Sequence, residues 1–195
     1  MQRRKGNDMA DLSSDIDVLK EKALALGASA AKEIAVSSIR RGAWTRMKCQ
    51  FGCEQYGKCL CCPPYILDYD FMDRFLHEYE EALLVQYKRP ITADDLKHWQ
   101  KADGDASNGL LHILVRLEQQ AFFMNHYKAF ALKAGKCCLC PVCNLKHCIH
   151  PDLARPSAEA CGIDVFALAN DNGFDARVYR TMPKELTLYG LLLVG

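Results

Sequence analysis

A chain of 195 residues, half of them hydrophobic, is long enough for one sizeable core and too short for a second full domain of ordinary size. Lys and Arg number 25 against 24 Asp and Glu, and a formal charge of +1 removes the overall electrostatic case for nucleic acid or an acidic membrane surface. The amino terminus, MQRRKGNDMADLSSDID, lacks the apolar segment of a signal peptide, and no run reaches the roughly 18 apolar residues that span a bilayer, so a cytoplasmic protein is expected.

Residues 1–12 are expected to form a flexible tail, with Met9 as an alternative start, and 13–195 a single cysteine-rich domain. Ser13 or Ser14 is placed to cap a first helix that carries Ile16, Leu19, Ala23 and Leu26 on one face and stops at Gly27. Ala31 to Ile39 is β-branched and alternating enough for a strand. After a cysteine region, Met47 to Tyr65, the pair Asp70 and Asp73 predicts the start of a helix with Phe71, Met72, Phe75, Leu76 and Tyr79 on its apolar face. Ala82 to Tyr87 follows as a buried strand, and a helix between two strands suggests a βαβ unit.

Thr92 with Asp95 reads as a helix cap, and Gly104 to Gly109, GDASNG, as a loop. The spacing of Leu110, Leu114, Leu117, Ala121, Met124 and Ala131 predicts a long helix to about Leu132, its apolar face widened by Phe122, Phe123, Tyr127 and Phe130 as core or shielding. Beyond Pro151 come short helices at Ser157 to Cys161 and Asp164 to Asn170, then closing strands at Ala176 to Arg180 and Thr187 to Val194. The expected fold class is α+β: a single domain with a mixed sheet of about four strands, packed helices and two cysteine-rich metal-binding loops.

The eleven cysteines carry the chemistry. In a reducing compartment dense thiol clusters read as metal-binding before disulfides, and an odd total leaves one without a partner. Gly135 to Pro151, GKCCLCPVCNLKHCIHP, places Cys137, Cys140, Cys143 and Cys148 in the spacing C-x2-C-x2-C-x4-C. That is one residue longer in the last gap than the bacterial ferredoxin run, whose thiolates hold iron–sulfur cubanes. Structural zinc more often uses two C-x2-C knuckles a dozen or more residues apart, so iron–sulfur is the favoured reading and zinc the alternative.

The first region offers Cys49, Cys53 and Cys62, with Cys59 or Cys61 as a further donor, and Cys62-Pro63 repeats the Cys-Pro step that ends the ferredoxin run. Which thiols share a centre stays open, because the fourth Cys of one run can serve the other cluster. Arg46, Lys48, Lys58, Lys136, Lys146 and His147 lie close in sequence and read either as cations that raise a cluster's potential or as ordinary solvated charges; His147 and His150 are expected beside the ligands and not among them. Cys140-Pro141-Val142-Cys143 also matches a dithiol motif, but it sits among further thiols after a long helix. No catalytic residue is assigned, whether the chain is an enzyme stays open, and Asp164 and Arg155 read as substrate contacts or as a helix cap and an ion pair.

Cys49-x3-Cys53-x2-Tyr56-Gly57-Lys58-x3-Cys62-Pro63-Pro64, then Cys137-x2-Cys140-x2-Cys143-x4-Cys148-x-His150-Pro151, Arg155-Pro156-Ser157 and Gly162-Ile163-Asp164-Val165 carry a resemblance. In that order they resemble a family of cysteine-rich predicted metal-binding proteins catalogued as a domain of unknown function, number twenty-two eighty-four. The resemblance implies a metal site built from Cys49, Cys53, Cys62, Cys137, Cys140, Cys143 and Cys148. It weakens the claim of Cys59 and Cys61 as ligands and leaves one site a ligand short, to be filled by Cys161, a non-cysteine donor or substrate. The functional expectation is one or two [4Fe–4S] clusters serving electron transfer to a redox partner protein, the alternative a zinc-stapled binding or metal-delivery module. Neither nucleic acid nor membrane is expected as a partner, and the oligomeric state is open.

Overall fold

The computed structural model describes residues 6–195, with side chains from Leu12 onward. Helix α1 spans Gly6–Ala25 and buries Ile16, Leu19 and Ala23 completely. It begins well before the expected serine cap: residues 6–12 are helical, and residues 1–5 of the expected tail lie outside the described residues. Leu12, four positions before Ile16 and itself buried, extends the apolar stripe by a turn.

Strand β1, Ala30–Ala35, is followed by a 3-10 turn at Val36–Ser38, and the helix α2, Trp44–Gly52, opens the first cysteine region. Helix α3, Tyr69–Leu76, is capped by Asp68, whose carboxylate accepts from the Phe71 N–H, two residues before the expected start. Strand β2 runs Glu81–Pro90, and the short α4, Ala93–Lys97, carries the expected reciprocal cap between Thr92 and Asp95. Then come α5, Trp99–Phe123, strand β3, Phe130–Leu132, helix α6, Val165–Asp171, and strand β4, Glu185–Val194.

The four strands stand in the order β1-β2-β4-β3, every pair antiparallel. The α+β class and strand count agree with expectation; the expected βαβ unit and mixed sheet do not occur among the described residues. The misleading signal was the unbroken apolar run in β2, which resembles a doubly covered parallel strand. Here the same burial arises in an antiparallel sheet covered on both faces. Leu83 and Val85 face α1 and α5 with Leu192 and Val194, while Ala82 and Leu84 face α3 and α6 with Leu191 and Leu193. The runs meet in register, Leu83 opposite Leu192 and Leu84 opposite Leu191.

Four further expectations are corrected. The loop at Gly104 to Gly109 is the middle of α5, because these glycines are close-approach positions: a Cβ on Gly104 would lie 3.4 Å from Cys138 Sγ, and one on Gly109 2.8 Å from Tyr87 Oη. The same helix ends at Phe123, and Phe122, Phe123 and Tyr127 are 59%, 83% and 71% exposed, so they belong to no core. Ser157 to Cys161 is a turn, with Ser157 Oγ accepting from Ala160 N at 3.1 Å, and Ala176 to Arg180 is irregular chain.

β4 crosses α5 at Gly190, where a Cβ would meet Leu114 Cδ1 at 2.6 Å and the Leu132 carbonyl at 3.0 Å. Replacing a strand glycine with alanine usually stabilises. Here Gly190→Ala is expected to cost about 1–3 kcal/mol by overpacking, read as a lower denaturant midpoint at unchanged slope.

Candidate metal centre

Two cysteine segments with little regular structure converge at one end of this frame. The first leaves α2 at Cys53 and folds on itself through Gly57 N–H to Pro63 O at 2.9 Å and Cys62 N–H to Cys59 O at 3.0 Å. Two arginines fasten it. Arg46 donates to the Leu67 and Ala160 carbonyls, each at 3.1 Å, and Arg41 donates to Tyr69 O at 2.7 Å while pairing with Asp73 at 2.8 Å. Both thus tie the first segment and the start of α3 to residues 157–162.

The second segment leaves β3 through Lys133, a lysine with no exposed surface. Its ammonium donates to Ser107 Oγ at 2.6 Å and to the carbonyls of Ala134 at 2.9 Å, Gly135 at 3.1 Å and Lys136 at 2.5 Å. The chain is thereby wrapped around its own side chain immediately before Cys137. Burial pushes the Lys133 pKa down, opposed by the charges of Cys138, Cys137, Glu159 and Cys61.

Cys59, Cys61, Cys137, Cys140, Cys143 and Cys148 line one small cavity of about 20 Å³. Room of that size holds an object on the scale of a water molecule. The sulfurs of Cys59, Cys61 and Cys137 lie within 4.8 Å of one another and form a possible cysteine metal site. Cys49, Cys53 and Cys62 do not line this cavity. Cys62 hydrogen-bonds Cys59 and lies within charge range of Cys53 and Cys49, which places the second thiol group beside the first. Cys161 is buried near Cys49, and Cys138 turns toward α5, its Sγ 3.4 Å from the Cβ position of Gly104. All eleven cysteines are free thiols.

Hydrogen bonds from Cys137, Cys61 and Cys62 hold the Cys59 thiol far below the ordinary range, and Cys61 and Cys62 are correspondingly pushed up. Converging thiols that lose their protons to a cation are a ready ligand set.

His147 is exposed, with only a 3.5 Å approach to Asn144. Asp164 caps α6, accepting from Ala167 N at 3.0 Å, and Arg155 makes a two-point pair with Glu118, Nε to Oε2 at 2.9 Å, so both serve the frame. Sequence reasoning missed Lys133. A lysine after an apolar strand reads as an ordinary solvated strand end, and nothing local marks it as buried.

Lys133→Met leaves the Gly135 and Lys136 carbonyls without their donor. It is expected to cost about 2–4 kcal/mol in denaturant unfolding and to lower metal content. Burial also pushes the Cys161 thiol from 9.0 up to about 12, so about a thousandth of the usual thiolate remains near neutral pH. Alkylation of native protein should therefore modify exposed Cys53 and leave Cys161 untouched until the chain is unfolded, as mapped by mass spectrometry.

No curated protein and no solved structure matches the chain. Residues 32–194 match the family model described as predicted metal-binding protein (DUF2284). That span runs from within β1 to the end of β4 and takes in both cysteine segments, so the chain belongs to the DUF2284 family of predicted metal-binding proteins.

Proposed function

We propose that this protein carries iron–sulfur chemistry, one or two [4Fe–4S] clusters, and passes single electrons to a redox partner protein. The observation that carries the reading is the number of thiols gathered: six line one cavity, drawn from segments on either side of the sheet-forming chain, and Cys49, Cys53 and Cys62 adjoin it. These nine thiols suffice for two centres of four ligands each, and the C-x2-C-x2-C run of Cys137, Cys140 and Cys143 is the spacing that holds cubanes and not the paired knuckles of structural zinc. The donor set suits such a group in its chemistry, while the cavity of about 20 Å³ has room for a single ion, so a cubane would require the thiols to move apart. Cys137, Cys140 and Cys143 with Cys59, Cys61 or Cys148 would hold one cluster, and Cys49, Cys53 and Cys62, completed by Cys161 or a thiol of the first set, a second.

When bound, the clusters supply one-electron redox capacity. The chain's own contribution is positioning and charge. Lys133 brings a buried positive charge beneath the thiolates, which favours the reduced state. Val142, Leu145 and Ile149 are exposed around the second segment, so a partner protein has an apolar surface to approach beside the thiols.

One observation favours a zinc-stapled module instead. The Cys59, Cys61 and Cys137 sulfurs already stand within 4.8 Å of one another, near the roughly 3.8 Å between sulfurs of a zinc tetrahedron with 2.3 Å bonds. Metal analysis separates the two readings. Protein purified without oxygen should be brown and hold about four or eight iron and as many acid-labile sulfides per chain; colourless protein with one or two zinc ions overturns the redox reading. Because the raised thiols of Cys61 and Cys62 must give up protons to bind any metal, loading at fixed metal concentration is expected to rise with pH and to release protons measurable by titration at constant pH.

A further inference from the structure

A second, much larger cavity of about 590 Å³ lies between β4, α6 and residues 175–183, and shares no lining residue with the thiol cavity. Its volume falls in the range of small-molecule sites. Strand β3 pairs only with Leu191 to Leu193, so β4 from Glu185 to Gly190 has no neighbouring strand on that side. The irregular segment arches over this open stretch. Its ends are fastened, at Ala176 by the Asn170 side chain, with bonds of 2.9 and 3.1 Å, and at Lys184 by Ile91 N–H at 2.9 Å. Between them, residues 177–183 make no backbone hydrogen bond among the described residues.

The walls are largely apolar: Trp99, Phe166, Met182, Leu188 and Tyr189. Charged side chains break the pattern. Glu159, Asp175, Arg177 and Arg180 line it as well, and the Glu159 Oε2 is itself sealed from the cavity. Arg180, also lining the cavity and exposed, makes no ion pair among the described residues, whereas Arg177 is committed to Asp175.

We propose that this cavity binds a small organic anion with an apolar, flat body, whose carboxylate, phosphate or sulfonate meets Arg180. Glu159 lies within charge range of the Cys49 and Cys161 thiols, so the site adjoins the metal-binding end of the molecule. The assignment does not depend on which metal is held there.

The probe is 8-anilinonaphthalene-1-sulfonate, which combines an aromatic body and a sulfonate, titrated into the full-length, metal-loaded protein. Saturable binding at one site per chain is expected, weakened about tenfold by Arg180→Glu. Thr187→Trp, which fills the cavity from β4, is expected to abolish it; should that variant misfold, the surface change at Arg180 decides alone. Absence of saturable binding, or an affinity for Arg180→Glu within twofold of the parent, overturns the proposal. Metal content measured on the parent sample keeps the two readings apart: failed probe binding with intact metal overturns the cavity assignment only.

Discussion

A lysine ammonium sealed from water beneath the second cysteine segment is the constraint on which the site's geometry rests. Lys133 takes a hydroxyl from α5 and three successive carbonyls of its own chain as acceptors, so the backbone from Ala134 to Lys136 is bent around a fixed charge. An ammonium would not be buried this way without near-complete hydrogen bonding, since desolvation alone disfavours it. The bend turns the chain out of β3 and delivers Cys137 to the sulfurs of Cys59 and Cys61. Ser107 reinforces the arrangement by donating to Ala134 O at 2.8 Å while accepting from the ammonium.

That local device works because the frame behind it is rigid. The two central strands are apolar on both faces and pair in register, and helices cover each side. The cysteine segments have almost no regular structure, and a thiol arrangement on such loops would drift unless anchored from outside. Arg41 and Arg46 anchor the first segment and the start of α3 through backbone carbonyls; Lys133 anchors the second. Thiols then supply the last cross-link when a metal joins them, which makes metal binding part of the folding free energy of this end of the molecule.

Elements with a local cause were legible. The Thr92 and Asp95 cap, the α1 stripe of Ile16, Leu19 and Ala23, and the apolar cores of β2 and β4 each follow from short-range chemistry. Where local and tertiary preferences diverged, the reading failed. Gly104 and Gly109 look like loop residues until Cys138 and Tyr87 are seen to occupy the space a side chain would take. Phe122, Phe123 and Tyr127 look like core until the helix is seen to end at Phe123 and leave them in solvent, whereas Phe130 packs against Phe75 from β3.

The sequence by itself determined that this is a thiol-rich, metal-binding α+β domain, because cysteine density and spacing are properties of the chain alone. Only the tertiary structure decided that Cys59, Cys61 and the four cysteines 137, 140, 143 and 148 face one cavity, and that Lys133 lies buried beneath the second segment. The reason is physical: a thiol's value as a ligand depends on the distance to its neighbours, and a lysine's charge on whether water reaches it. Both are set by contacts between residues far apart in the chain.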